Sequence, residues 1–205
     1  MDAQVAFDFS TLLFYLTAFF LGSIPFAYLA GRLRGLDIRQ HGSGNIGATN
    51  AFRVLGPFMG TVVLLLDAGK GAVVALWAIT SFGETVAVIA GLAAILGHTF
   101  SPFMKFKGGK GVATAAGVVI TLIPDIALIC VLLFATIVAL SKYVSLGSIT
   151  VAITLPLLAF FFNKPLAYQI FSLATAVFVI YRHIPNIKRL LAGEENSIRR
   201  NQSKL

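Results

Sequence analysis

Apolar positions in this chain neither alternate nor recur every third or fourth residue; they run on unbroken. Seven such runs stand out, at approximately 9–30, 55–80, 85–103, 112–123, 125–141, 146–162 and 166–181. Several reach the roughly 20 residues a helix needs to cross a hydrocarbon core. The pattern predicts an all-α membrane protein, a polytopic bundle of about seven transmembrane helices. Pro124-Asp125 interrupts one long run. Read as a break between two short helices it gives seven spans, and read as a kink it gives six.

Charge separates these two counts. With seven spans, alternate connections place Arg32, Arg34, Arg39 and Arg53 on the same side as Lys105, Lys107, Lys110 and Lys142. The tail, about 182–205, adds Arg182, Lys188, Arg189, Arg199, Arg200 and Lys204, so 14 of the 16 basic residues share one face. The other face keeps Asp2, Asp8, Glu84 and Asp125, with Lys164 as its cation. Positive loops stay in the cytoplasm, which predicts a multi-pass membrane protein with its N-terminus outside and a cytoplasmic C-terminus. No Lys or Arg precedes the first run, so Phe9 to Ala30 reads as a retained span, not a cleaved signal.

Composition narrows the partners. At 58% hydrophobic and 12% charged, the 205 residues leave no room for a sizeable soluble domain, and 1–205 reads as a single membrane domain. A net charge of +8 calls for anionic partners. Nucleic acid is disfavoured, because the cations sit between spans and form no stripe with stacking aromatics. Membrane lipid and a small phosphorylated substrate fit better. The single cysteine, Cys130, lies inside an apolar run and reads as a small packed hydrophobe.

Two segments break the apolar monotony: GSGNIGATNAFR, Gly42 to Arg53, and KFKGGKG, Lys105 to Gly111. Both combine unshielded backbone amides with fixed positive charge, the combination that binds phosphate. Ser43, Asn45, Thr49 and Asn50 supply short side-chain donors, and Arg53 a planar fork suited to phosphate oxygens. Lys107 and Lys110 flank the glycines of the second segment, which opens the fourth span. Formally GSGNIG matches a dinucleotide fingerprint, but a membrane span precedes it where a strand is required. Gly109-Lys110 is followed by Gly111, so the second segment is not a Walker A loop. The plain alternatives are a flexible turn and lysines snorkelling to headgroups.

Other polar positions fall on the same face. His183 sits in YRHIPNIKRL with Asn186 close to one helical turn away. His41 and His98 read as structural, and the three histidines make no zinc triad, because carboxylates on that side are sparse. Asp67 and Lys70, at i and i+3 inside the second span, are either self-paired or arranged so that Lys70 holds a substrate phosphate. Ser148 in SLGSI is a site candidate, with Ser145 as a helix cap. Gly56 to Gly60 and Gly111 to Ala115 read as small-residue packing.

The ordered set GSGNIGATNAFR, GHTFSPFMKFKGGKGVAT, KYVSLGSI and IYRHIPNIKRLLAGEE resembles the bacterial PlsY family, acyl-phosphate:glycerol-3-phosphate acyltransferases, from about residue 20 to 195. The resemblance implies seven spans, catalysis at the cytoplasmic face, and transfer of a fatty acyl group from acyl phosphate to the 1-hydroxyl of sn-glycerol 3-phosphate. Lysophosphatidic acid and phosphate are the implied products and the bacterial inner membrane the implied location; no cofactor and no metal-site residues are expected. It further implies that the protein works next to the enzyme that makes acyl phosphate. By motif position, Ser43, Asn45, Thr49, Arg53, Lys110, Ser148, His183 and Asn186 are the implied substrate-contacting residues. The HxxxxD signature of other glycerophosphate acyltransferases is absent.

The residue types suit that chemistry. Acyl phosphate already carries a good leaving group, so the demand is to gather two mutually repelling phosphates and stabilise developing charge. Arg53, Lys107 and Lys110 answer the first demand; His183 and Asn186 are the candidates for handling the hydroxyl. Nothing here resembles a Ser–His–Asp or Cys–His arrangement, so transfer is expected to be direct. The rival class is a transporter or flippase for a phosphorylated solute or anionic lipid, which predicts polar groups on both faces and is weakened by the lack of an internal repeat.

Overall fold

The structure is a computed structural model that describes residues 8–198; Asp2 and the tail cations Arg199, Arg200 and Lys204 lie outside the described residues. Among the described residues there are helices and short turns and no strand. The helices are α1 (Phe9–Gly22), α2 (Phe26–Leu33), α3 (Ala48–Phe82), α4 (Glu84–Thr99), α5 (Val112–Leu122), α6 (Pro124–Ser141), α7 (Val144–Phe161), α8 (Leu166–Arg182) and α9 (Ile184–Leu191). Local chemistry sets their ends. Asp8 caps α1 by accepting the Thr11 amide at 2.8 Å, and proline opens α6 and α9, where a missing N–H costs nothing.

Five stretches are long and apolar enough to cross a bilayer: Phe9–Leu33, Ala48–Phe82, Glu84–Met104, Pro124–Ser141 and Val144–Phe161. The pair α8 and α9, bent by 57°, adds a sixth. The second to seventh apolar runs each correspond to one α-helix, although α5, with 11 residues, is short for a span. Leu122 and Pro124 belong to separate helices, with Ile123 between them in a non-helical conformation. The first run is itself divided, because Ser23 to Pro25 separate α1 from α2.

Residues up to Leu122 form one compact unit, and residues from Ile123 form another. In the first, α3 packs on α4 and α5, and α1 lies on α4. Small residues allow these approaches, the usual solution where lipid removes the hydrophobic drive between helices. A Cβ on Gly22 would overlap the backbone of Ala94, and one on Gly97 the carbonyl of Phe19. Gly71 and Gly117 do the same between α3 and α5. The expected Gly56 to Gly60 packing pair behaves otherwise. Gly56 has φ +84° and breaks α3 ahead of Pro57, a conformation open to glycine, while Gly60 receives the ring of Phe52 as the chain turns back.

In the second unit α7 packs between α6 and α8. Lys164 pairs with Asp125 at 2.7 Å at one end. At the other end the Ile198 amide donates to the Lys142 carbonyl at 3.0 Å, which holds the segment after α9 against the turn between α6 and α7. The ends of this unit are therefore sorted as the charge pattern predicts, with Lys142 beside the tail and Lys164 away from it.

Candidate active site

In the first unit, both glycine-rich segments are built on one core. Ile46 of the first and Met104, immediately before the second, are buried in the same cluster, with Ile38, Ala51 and Val63. The two segments therefore meet at one end of this unit. Ser101, ahead of the second segment, donates to the carbonyl of Ser23 in the link between α1 and α2 at 2.7 Å.

The first segment is closed by Asn50. Its Oδ1 accepts the Ser43 amide at 2.9 Å, and its Nδ2 donates to the carbonyls of His41 at 3.0 Å and Ile38 at 3.2 Å. Asn50 is fully buried, so its expected part as a donor to phosphate is corrected: the amide is consumed in folding the loop. Gly42, at φ +62°, fits between Asn50 and the Arg53 stem, whose Cδ a Cβ there would approach to 3.3 Å. Ser43 and Thr49 are exposed, and Asn45 and Arg53 half-buried. Thr49 and Arg53 lie in the first turns of α3, whose N-cap, Gly47, makes no side-chain cap bond. Helix amides, hydroxyls and a guanidinium thus share one exposed corner, an anion-binding arrangement. Arg39 is differently occupied: it is forked onto Asp37 at 2.6 Å and lies 4.8 Å from the Tyr28 ring centroid. Its hydrogen bonds hold the Asp37 carboxyl down at about 2.

The second segment is strapped to the end of α4. Gly108 donates to the Thr99 carbonyl at 2.8 Å and Gly109 to the His98 carbonyl at 3.1 Å. A Cβ on either would overlap α4, on Gly108 its backbone and on Gly109 the His98 ring, so close approach explains these two glycines. Lys107 is exposed and Lys110 half-buried. Lys70 is not part of this surface. It is buried, and its ammonium contacts Asp67 at 2.8 Å, the Ile24 carbonyl at 2.9 Å and His98 Nδ1 at 2.9 Å. Self-pairing is the correct reading, and the phosphate-holding alternative falls.

The second unit carries Ser148, His183 and Asn186, all buried. His183 stands at the joint between α8 and α9, and its backbone N–H turns to the Ile180 carbonyl at 2.9 Å. The Val179 carbonyl instead meets the His183 Nδ1 at 2.8 Å. A carbonyl only accepts, so Nδ1 carries a proton and Nε2 the lone pair of the neutral ring. Asn186, in the first turn of α9, donates to Glu195 Oε1 at 2.6 Å. The same carboxylate accepts from Ser145 at 2.9 Å and from Arg189 at 2.8 Å. Ser145 is therefore a clamp and not the expected cap, for the N-cap position of α7 falls on Tyr143, which makes no side-chain cap bond. Ser148 donates to the Val144 carbonyl at 3.0 Å.

Sequence reasoning missed Glu195. Burial works to raise its carboxyl, but hydrogen bonds from Asn186, Arg189 and Ser145 outweigh burial and hold it below the ordinary glutamate range. A carboxylate in the otherwise basic IKRLLAGEE was the available signal. Among the described residues no group of three or more His, Cys, Asp or Glu is placed to hold a metal.

Comparison with known proteins bears directly on this arrangement. The family model described as glycerol-3-phosphate acyltransferase matches residues 12–193. A glycerol-3-phosphate acyltransferase of Fusobacterium nucleatum is 47% identical over 91% of this chain and 97% of its own length. Glycerol-3-phosphate acyltransferase 2 of Moorella thermoacetica is 46% identical over the same shares. Crystal structures of PlsY, an integral membrane glycerol 3-phosphate acyltransferase, are 43% identical to this chain. The glycerol 3-phosphate form superposes with a TM-score of 0.89 over 92% of this chain and 96% of that one. The lysophosphatidic acid form gives 0.87 over 92% and 95%. With its motifs, helices and relatives in agreement, the chain belongs to the glycerol-3-phosphate acyltransferase family of the PlsY type.

Proposed function

We propose that this protein transfers a fatty acyl group from acyl phosphate to the 1-hydroxyl of sn-glycerol 3-phosphate, giving lysophosphatidic acid and phosphate. One observation carries the reading: the first glycine-rich, cationic segment and Met104, the residue that leads into the second, share a single buried cluster, in a chain of this family. Ser43, Asn45, Thr49, Arg53, Lys107 and Lys110 bind the phosphates. Ser148, His183 and Asn186 serve the hydroxyl and the reacting carbonyl.

In the reaction the 1-oxygen bonds to the acyl carbonyl carbon, the bond from that carbon to the phosphate oxygen breaks, and the hydroxyl proton ends on the departing phosphate. His183 Nε2 accepts the hydroxyl hydrogen bond and either takes the proton in transit or orients the hydroxyl while a phosphate takes it. Fixed cations offset the repulsion between the two phosphates, and donors aimed at developing charge supply the largest rate effect. The acyl chain remains among lipid-facing helices, so only the headgroups need a polar site.

The basic loops support a cytoplasmic site with the N-terminus outside, and the family resemblance supports an inner-membrane location, the whole chain acting as one domain and the acyl-phosphate-forming enzyme nearby. The deciding assay uses purified protein in detergent with acyl phosphate and labelled glycerol 3-phosphate, without acyl-CoA. Lysophosphatidic acid formation supports the proposal. Binding of both compounds without turnover overturns it.

A further inference from the structure

Beneath the second glycine segment lies a cluster that the reaction does not use. Asp67 and Lys70 of α3 and His98 of α4 are buried together in the first unit, exposed by 1%, 8% and 6%. Three ionisable groups in a lipid-embedded bundle are costly, and apolar residues of similar volume serve mere cohesion as well or better. The arrangement is directional instead. An ammonium has three N–H bonds and no lone pair. Lys70 hydrogen-bonds the Ile24 carbonyl and His98 Nδ1, both at 2.9 Å, and forms an ion pair with Asp67 Oδ1 at 2.8 Å, an oxygen that also lies 3.5 Å from His98 Nδ1.

His98 Nδ1 is therefore an acceptor, which leaves the ring proton on Nε2. That opposite edge of the imidazole lies against Gly109, where a Cβ would overlap Nε2 and come within 3.0 Å of both neighbouring ring carbons. The residues on either side of this contact are already tied by backbone, Gly108 to Thr99 and Gly109 to His98. The chain from Asp67 through Lys70 to His98 thus ends on the backbone that presents the glycine amides and Lys110.

We infer that Asp67, Lys70 and His98 are positioning residues for the phosphate-binding segment: Lys70, neutralised by Asp67, fixes the His98 ring and its tautomer, and the Nε2–H edge sets the lie of Gly108 to Lys110. This rests on the reading of that segment as a phosphate site. None of the three touches substrate.

The test uses the full-length protein in detergent, with kcat, the KM of each phosphorylated substrate and thermal unfolding measured together. Lys110→Ala identifies which substrate the segment holds. Asp67→Asn/Lys70→Met removes both buried charges at similar volume. It is expected to stay folded and to raise the KM of that same substrate at least about tenfold, the loss of one well-aligned polar contact, with the other KM unmoved.

Both KM values at wild-type level in the folded double variant, or a fall in kcat alone, overturn the inference while Lys110→Ala upholds the site. Unchanged KM values in Lys110→Ala remove the site and the inference with it. Should the double variant not fold, His98→Asn decides. Its amide oxygen replaces Nδ1 as partner of Lys70 and leaves the Gly109 side empty; a raised KM for that substrate supports the inference, and an unchanged one overturns it.

Discussion

Asn50 Oδ1 accepts the backbone amide of Ser43 at 2.9 Å, so a side chain from the first turn of α3 closes the loop that precedes it. The Asn50 amide also serves two carbonyls of that loop. Asn50→Ala leaves a buried amide and two carbonyls short of partners, at a cost of about 1–3 kcal/mol. The expected result is a lower melting temperature together with raised KM. Asn50→Asp restores the acceptor but not the donors and should recover only part of the loss. A wild-type melting temperature in Asn50→Ala would contradict the clamp.

Arg53 and Lys110 are assigned to the phosphates, one beside Gly42 and the other at the end of the glycine strap. Arg53→Ala and Lys110→Ala are each expected to reduce turnover by about 10²-fold or more. Arg53→Lys should rescue poorly, because a point charge cannot replace a two-pronged donor. Near-normal rates in both alanine variants would remove the proposed phosphate surface.

His183 holds its Nδ1 proton against Val179, which leaves Nε2 as the lone-pair nitrogen. If Nε2 takes the hydroxyl proton, the wild-type rate declines in acid as the ring protonates, and His183→Gln is slow with that decline abolished. If a substrate phosphate takes it, His183→Gln is slow with the pH profile preserved. The pH dependence of kcat for the two proteins separates the routes.

Glu195 should behave as a structural anchor with its own pH signature. Its folded pKa lies below the unfolded value. Its contribution is therefore complete above the ordinary glutamate range and is lost as pH falls through the lowered value. Glu195→Gln should melt below wild type by a margin that is steady through neutral pH and closes only in acid. A gap that widens on acidification would refute the assignment.

Cys130 is a control. It is buried on α6 and belongs to none of the groups assigned to the reaction. Cys130→Ala should cost roughly 1 kcal/mol of stability and leave kcat and both KM values unchanged. Loss of activity would point to a role that neither its burial nor its position explains.

The helices and the paired glycine segments were legible in the sequence because long apolar runs and clustered amides obey local rules. Arg53, Lys110, His183 and Asn186 stood out as polar positions in apolar surroundings. Partnerships were not legible, because they depend on distance across the fold. Asn50 looked like a ligand donor and proved to be a clamp. Lys70 had two readings until the ion pair with Asp67 and two buried acceptors settled them. Ser145 looked like a cap, yet its partner Glu195 lies 50 residues away. Gly56 matched a packing motif by spacing, while its positive φ makes it a hinge point in α3.

The 57° turn at His183 has one more effect. A helix running straight through this position would occupy the Val179 carbonyl with main-chain N–H and leave the imidazole to choose its own proton arrangement. Because the main chain swerves, that carbonyl is surrendered to the ring. The protonation pattern of the histidine is thus written into the backbone path, and a substitution that relaxed the swerve, at Pro185 for example, would alter the chemistry without touching any reacting group.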